Sequence, residues 1–196
     1  KTGSEILIES RATLNPQRPG LDLSPDGNQV VYVARRQGSP DQIWLYDVRT
    51  GQTSLVSATI DDDPVVPSRQ YANAESYAPR FTPDGRRVLF HTAASNLLPG
   101  PPPPPGFNLY VRDLEARTTR ALAPSPGNPS SGGGAIAISA NSRYVAQLQL
   151  SNDNFFPVVI DLDDTSVASV PDALAARNLS LSATGRWLAY DAPGTN

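Results

Sequence analysis

The sequence predicts an all-β chain built from a repeated, four-stranded antiparallel sheet. A turn motif followed by a short apolar run recurs along the chain, as Ser/Thr-Pro-Asp-Gly in two copies and as the related Ser-Ala-Asn-Ser and Ser-Ala-Thr-Gly in two more. A second apolar run that ends in Asp follows each of the first three turn motifs. No stretch sustains the 3.6-residue apolar period of a helix. Together these observations favour short strands joined by tight turns.

The turn motif defines the first hairpin of each repeat. Its copies are spaced by about 53 residues on average and begin at Ser24, Thr82, Ser139 and Ser182. Pro presets φ, the Asp side chain bonds to nearby backbone, and Gly accepts a positive φ. The structural turn residues predicted on this basis are Asp26, Gly27, Asp84 and Gly85.

The third and fourth strands follow from the second apolar run. That run ends at an acid in each repeat, namely Asp47, Asp113 and Asp161. Recurrence at one position predicts that these carboxylates bond to a neighbouring turn. A further aliphatic residue lies nine positions beyond each Asp, at Val56, Leu122 and Val170. Each repeat of about 50 residues therefore contains four strands.

The strands combine into blades of a β-propeller. Their apolar runs do not alternate with polar residues, which indicates sheets covered on both faces. A sandwich would cover one face of each sheet. Four strands per repeat with both faces covered are typical of a propeller blade. We therefore predict one partial propeller domain over residues 1–196, about three complete blades with one strand before them and two after. The predicted units are a last strand of a preceding blade at 1–10, blades at 20–58, 76–123 and 134–171, and two strands of a further blade at 176–192.

The repeats resemble the TolB-type, WD-repeat-like propellers of bacterial envelope and secreted proteins. The resemblance is carried by the turn motif with its apolar run, by the strand ending in Asp, and by residues 75–85 and 94–100. It extends over roughly residues 3 to 191 and implies an extracytoplasmic bacterial protein. Related repeats often continue with an Asp- and Asn-rich loop after Leu-Pro-Gly, where this chain has a proline run. The third repeat has Asn141-Ser142 for Asp-Gly, and Gln147 where Phe90 or Tyr190 stands in other repeats, which predicts a less well packed blade.

Composition excludes several classes of function. The formal net charge is −3, from 19 acidic and 16 basic residues, so a basic nucleic-acid-binding footprint is absent. No apolar run reaches the length of a membrane span. The chain has no Cys and one His, which excludes disulfides, thiolate zinc sites and multi-histidine metal sites. No cofactor is predicted.

Few residues are candidates for chemistry or binding. The candidate metal ligands are the acidic run Asp61, Asp62 and Asp63, although its consecutive spacing fits a solvated loop better than a calcium loop. The candidate partner-binding segment is the polyproline loop of Pro101, Pro102, Pro103, Pro104 and Pro105, and the alternative is a surface loop without a partner. His91 is interpreted as a strand residue, and without a Gly-x-Ser-x-Gly motif we predict no catalytic residue and no enzyme. Trp44 and Trp187 are predicted to pack between blades.

Three functions remain open on sequence grounds. The first is a non-catalytic extracytoplasmic module for protein interaction or surface display. The second is a structural subunit that self-assembles into a ring or filament, because open blade edges pair with other copies. The third is the propeller portion of a larger, peptidase-like enzyme. A six-bladed ring would need about 318 residues, so the chain is a fragment of a longer propeller, a small four-bladed ring, or an assembling unit. The partners are a protein, or copies of the chain at open blade edges.

Overall fold

The computed structural model describes residues 7–8, 20–36, 38–59, 71–103, 106, 108–123, 136–151, 154–170 and 175–192. Within these ranges the chain forms strands β1 to β14 and no helix, which confirms the predicted all-β fold. The strands build three four-stranded antiparallel sheets and one two-stranded sheet. Most of the predicted strand at 1–10 lies outside the described residues, and its described part, Leu7 and Ile8, is not in a strand.

Each four-stranded sheet is a meander in which consecutive strands are neighbours. Sheet one contains β1 (Leu21–Leu23), β2 (Gln29–Ala34), β3 (Gln42–Asp47) and β4 (Thr53–Leu55). Sheet two contains β5 (Ser76–Phe81), β6 (Arg87–Thr92), β7 (Asn108–Asp113) and β8 (Thr118–Ala123). Sheet three contains β9 (Ile136–Ile138), β10 (Tyr144–Ser151), β11 (Asn154–Asp161) and β12 (Val167–Ser169). Sheet four pairs β13 (Leu179–Leu181) with β14 (Leu188–Tyr190).

The sheets pack face to face through alternating residues of their central strands. One apolar cluster fills the space between sheets one and two and includes Val31, Val33, Phe81, Val88 and Phe90. A second lies between sheets two and three and includes Leu89, Leu109, Val111, Val145 and Ile160. Because β6 contributes to both clusters, sheet two is covered on both faces. Coverage on both faces explains why the apolar residues of β6 do not alternate with polar ones.

The opposite face of sheet one has a smaller apolar cluster. Tyr32, Ala34 and Trp44 are buried there, with Ile8 and Tyr71 packed against them. The exposed Leu21 and Leu23 lie on the same face, because they pair directly with Tyr32 and Val30 in the β1–β2 register.

Sheet four matches the two strands predicted for a further blade, but one side chain beside it departs from the sequence prediction. Trp187 was predicted to pack between blades, but its side chain is 69% exposed, whereas that of Trp44 is buried. The prediction for Trp187 is wrong because an apolar run indicates a strand without indicating whether another sheet covers its outer face. The guanidinium of Arg186 lies over the indole, with its Cζ 5.5 Å from the ring centroid.

Candidate interaction surface

The turn at the start of each repeat is braced by a side-chain hydroxyl. The hydroxyl donates to a side-chain oxygen two residues later and accepts the backbone N–H five residues later, so it closes the turn from both sides. The donor and acceptor pairs are Ser24 and Asp26 at 2.6 Å, Thr82 and Asp84 at 2.5 Å, and Ser139 and Asn141 at 2.6 Å. The backbone donors are Gln29 at 2.8 Å, Arg87 at 3.1 Å and Tyr144 at 2.9 Å.

These bonds keep the carboxylate of Asp26 ionised. The side chains of Ser24 and Asn28, together with the backbone N–H of Asn28, donate to the charged form of Asp26 and lower its pKa to about 2. At neutral pH this carboxylate carries no proton that it could transfer. Asp26 therefore acts as a turn cap.

The acids that end β3, β7 and β11 cap the turns that follow them. Asp47 accepts the backbone N–H groups of Arg49 and Thr50, both at 2.9 Å. Asp113 accepts those of Glu115 at 3.1 Å and Ala116 at 2.9 Å, and Asp161 accepts that of Asp163 at 2.9 Å. The pKa of Asp47 is lowered, chiefly by the backbone N–H of Thr50, and the pKa of Asp161 is lowered, chiefly by the Arg143 side chain.

Arginines reinforce two of these caps and link sheets. Arg86 Nε lies 3.0 Å from an Asp113 oxygen, and Arg143 Nη2 lies 2.8 Å from an Asp161 oxygen. Arg87 of sheet two pairs with Asp163 of sheet three at 3.1 Å. The carboxylates that the repeat places at regular intervals are thus committed to the scaffold.

The histidine lies in the interior. His91 is buried in β6, and its ring stacks on that of Tyr77 with the centroids 5.5 Å apart. Burial lowers its pKa to about 4, so the ring is neutral at physiological pH. Its Nδ1 has no hydrogen-bond partner within the described part of the chain. A general base needs access to a substrate proton, and His91 lacks it.

At the ends of the sheets opposite these turns, amide side chains hold the loops around residues 71–73 and 95–96 to the strands and to each other. The buried Gln42 accepts from the backbone N–H of Ala72 at 3.2 Å and donates to its carbonyl at 3.0 Å. The backbone N–H of Asn73 donates to Asn96 Oδ1, and the side-chain amide of Asn73 donates to the Ser95 hydroxyl and accepts from the Ser95 N–H, each at 2.9 Å. In the proline loop Pro101 and Pro102 are exposed and Pro103 is half-buried, while Pro104 and Pro105 lie outside the described residues.

The metal candidates Asp61, Asp62 and Asp63 also lie outside the described residues. Among the residues that are described, no group of three or more His, Asp or Glu side chains is placed to hold a metal ion. The same residues include no helix that is long and apolar enough to cross a membrane.

A groove along β4 was not predicted from the sequence. Its cavity is about 490 Å³, and the lining combines the three β4 residues with aromatic rings and arginines. We call it the β4 groove and define it by Arg36, Trp44, Thr53, Leu55, Tyr71 and Arg117. The Cζ of Arg36 lies 3.6 Å from the centroid of the Trp44 ring. Tyr71 meets the Trp44 ring edge-on, with the centroids 6.1 Å apart.

Known structures share this fold. TolB from Acinetobacter baumannii matches with a TM-score of 0.53 and 20% identity over 88% of this chain and 37% of that chain. The β-propeller domain of the Trilobed protease from Pyrococcus furiosus matches with a TM-score of 0.51 and 14% identity, over 77% and 40%. A puromycin-hydrolyzing peptidase from Mycobacterium tuberculosis matches with a TM-score of 0.55 and 17% identity, over 84% and 23%.

The chain therefore has a TolB-like β-propeller fold and spans well under half the length of these proteins. No family model matches the sequence. At this level of identity the likeness concerns the fold, which hosts many functions.

Proposed function

We propose that this TolB-like propeller module is non-catalytic and binds protein in an extracytoplasmic compartment of a bacterium. The observation that carries the proposal is the commitment of the recurring carboxylates to their own turns. Asp26, Asp47 and Asp161 all have lowered pKa values and accept hydrogen bonds from nearby donors. The polar groups that the repeat supplies at regular positions therefore support the scaffold.

The titration behaviour of Asp26 and His91 supports the same interpretation. A general acid or base works best with a pKa near the operating pH. The pKa of Asp26 is about 2 and that of the buried His91 is about 4, so neither group exchanges protons effectively near neutral pH. A binding function makes no such demand on the pKa.

Exposed apolar side chains support binding. Trp187, Tyr190, Leu21 and Leu23 are large, apolar and exposed. Grouped apolar surface on a folded domain marks contact sites, and Leu21 and Leu23 lie together on one face of β1. The extracytoplasmic and bacterial parts of the proposal rest on the resemblance to TolB-type repeats and on the shared fold.

Site-specific photo-crosslinking in the native cell tests the binding proposal. A photoreactive phenylalanine analogue replaces the exposed Trp187 in one variant and the buried Tyr32 in a matched control. We expect one discrete crosslinked protein with the first variant and none with the control. Identical crosslinked products from both positions would reject the proposal. So would the absence of any crosslinked product from these two positions and from further probe sites at Pro101 and Pro102. Fractionation of the same cells tests the compartment, where recovery in the cytoplasm would contradict it.

Turnover assays test the absence of catalysis. Peptide anilides and simple esters are incubated with the purified chain, and we expect no hydrolysis above the buffer rate. Turnover that co-purifies with the protein and disappears in the His91→Leu variant would contradict the proposal. The peptidase alternative is supported by the likeness to two propeller-containing peptidases, and a hydrolase domain in the same reading frame would favour it.

Self-assembly is the second candidate function. It is favoured by apolar exposure on the two outermost sheets, at Leu21 and Leu23 of sheet one and at Trp187 beside sheet four. A contact between such different surfaces is heterologous and gives rings or filaments. Light scattering after size exclusion should then show a mass above 20.9 kDa that rises with concentration. A constant monomer mass that is unchanged by Trp187→Ser would reject this candidate.

A further inference from the structure

We propose that the β4 groove binds an extended, acidic segment of a partner protein, which adds as a strand to the free edge of β4. The inference deepens the proposed binding function, on which it rests, by assigning a site and a chemical class of ligand. It is carried by the outward backbone of β4, by the arginines of the groove, and by the contrast with another sheet edge.

Along the edge of β4, the outward backbone groups have no partner among the described residues. Asp47 N–H donates to the Gln52 carbonyl at 2.9 Å, and Val56 N–H donates to the Ile43 carbonyl at 2.8 Å. In an antiparallel ladder every second residue bonds inward, and the residues between them point outward. The N–H and C=O groups of Thr53 and Leu55 therefore point away from β3, and within the described residues no other strand pairs with them. An extended peptide can use such groups to add a strand.

Two exposed arginines, Arg36 and Arg117, give the groove a positive charge. Among the described residues, the lining also includes the buried Arg112 and contains no Asp or Glu. This local excess stands out in a chain whose formal net charge is −3. Carboxylates form charge-assisted hydrogen bonds with guanidinium groups, and complementary charge selects the partner. The favoured ligand is therefore acidic.

Arg36 is held in position before any ligand arrives. Its guanidinium lies 3.6 Å from the centroid of the buried Trp44 ring. Trp44 is itself fixed, because its Nε1 donates to the Ala34 carbonyl at 3.2 Å and Tyr71 packs edge-on against it. An ordered side chain loses less conformational entropy on binding. Leu55, half-buried in the same groove, offers apolar contact to an alternate residue of the incoming strand.

The outer edge of sheet three has a different character. β12 is exposed along its full length, and it is preceded by the exposed Asp163 and Asp164. An acidic strand would meet like charge there. Exposure of an edge strand is thus not enough to bind an acidic strand. The combination of a free edge with nearby arginines distinguishes β4 from β12.

The probe is a fluorescein-labelled octapeptide of alternating glutamate and valine with blocked ends. Its binding to the protein is measured by fluorescence anisotropy at low ionic strength. Arg117→Gly removes one guanidinium at a position with a φ of 55°, which glycine accepts. Arg36→Gln removes another. We expect each variant to weaken binding about threefold, the size of a partly exposed ion pair. The matched control is Arg186→Gln, which removes an arginine that also lies over a tryptophan but outside the groove.

A second variant tests strand addition. Thr53→Pro removes an outward N–H and leaves the inward ladder bonds of β4 intact. We expect it to weaken peptide binding at least tenfold with an unchanged melting temperature. If Thr53→Pro unfolds the chain, a peptide with N-methylated valines gives the same test on the natural protein.

Three results would overturn the proposal. These are no binding of the glutamate-valine peptide, equal binding of a lysine-valine peptide, and binding of oligothymidylate as tight as that of the acidic peptide. The Trp187 crosslinking separates the two levels of inference. A partner crosslinked at Trp187 together with no peptide binding rejects the groove alone, while failure of both experiments also rejects the binding function.

Discussion

The backbone N–H of Asp84 donates to the side-chain Oγ of Ser142 at 2.8 Å, so the first turn of sheet three caps the first turn of sheet two. Ser142 has a φ of 61°, whereas the first, second and fourth turns have glycine at the equivalent position with φ between 71° and 73°. A side chain in this left-handed conformation is strained. The strain is accompanied by a hydrogen bond between blades that glycine cannot make.

Two substitutions at Ser142 separate the strain from the bond. Ser142→Ala keeps the strained φ and removes the hydroxyl, so we expect the free energy of unfolding to fall by about 1 kcal/mol. Ser142→Gly also removes the bond but relieves strain of about 1 kcal/mol, so its stability should match the natural protein within about 0.5 kcal/mol. Urea denaturation measures both. Equal destabilisation by alanine and glycine would show that φ at this turn carries no strain.

Two turn glycines with the same φ differ in their surroundings. Gly27 and Gly185 both have φ 73°. A Cβ at Gly27 would meet no atom within 4 Å, whereas one at Gly185 would overlap Cδ2 of Tyr144 and lie 2.6 Å from its Cγ. Gly27→Ala should cost about 1 kcal/mol from φ alone. Gly185→Ala should cost about 1–3 kcal/mol more, because Tyr144 or the turn must move. Thermal unfolding compares the two, and equal melting temperatures would show that Tyr144 moves aside freely.

The turns were predictable because their chemistry is local. The hydroxyl of Ser24 and the carboxylate of Asp26 are two residues apart, and a short motif contains the whole bonding pattern. The β4 groove was not predictable, because Arg36, Tyr71 and Arg117 come from separate segments that only the packing of two sheets brings together. The error at Trp187 has the same origin, since exposure depends on a neighbouring sheet. The sequence showed that Gln147 stands where other repeats have an aromatic residue, but it did not show what surrounds the Gln147 side chain.

Gln147 and Gln42 form a matched pair of buried amides. Gln147 is 1% exposed, and neither its Nε2 nor its Oε1 has a hydrogen-bond partner in the described part of the chain. Gln42 is 0% exposed and bonds to both backbone groups of Ala72 and to the hydroxyl of Ser57. Because a buried polar group without a partner costs about 1–3 kcal/mol, Gln147→Leu should raise the free energy of unfolding by about 1 kcal/mol or more.

Gln42→Leu should have the opposite effect. It leaves the backbone N–H and C=O of Ala72 without their amide partner, so we expect a loss of about 2 kcal/mol or more. Guanidinium denaturation of both variants measures the contrast. A destabilised Gln147→Leu variant would mean that the amide has a partner that the described residues do not include.

The single histidine makes the stability of the fold depend on pH in a defined window. In the unfolded chain His91 takes up a proton as the pH falls through its ordinary pKa of 6.5, while burial in the folded chain delays protonation until about pH 4. The unfolded state therefore binds more protons between these values, and stability falls as the pH drops from 6.5 to 4. A difference of one pKa unit between the folded and unfolded states corresponds to about 1.4 kcal/mol, so the free energy of unfolding falls by about 3 kcal/mol over this window.

His91→Leu should abolish this loss between pH 6.5 and 4. Because the chain contains one His, no other imidazole contributes in the window. The lowered pKa values of Asp47 and Asp161 also make the fold less stable as the pH falls, but at lower pH, because these carboxylates take up protons from about pH 5 downward. Urea denaturation at pH 7, 6 and 5 should thus give a falling free energy of unfolding for the natural chain and a nearly flat one for the variant. Parallel curves would place the proton uptake on groups other than His91.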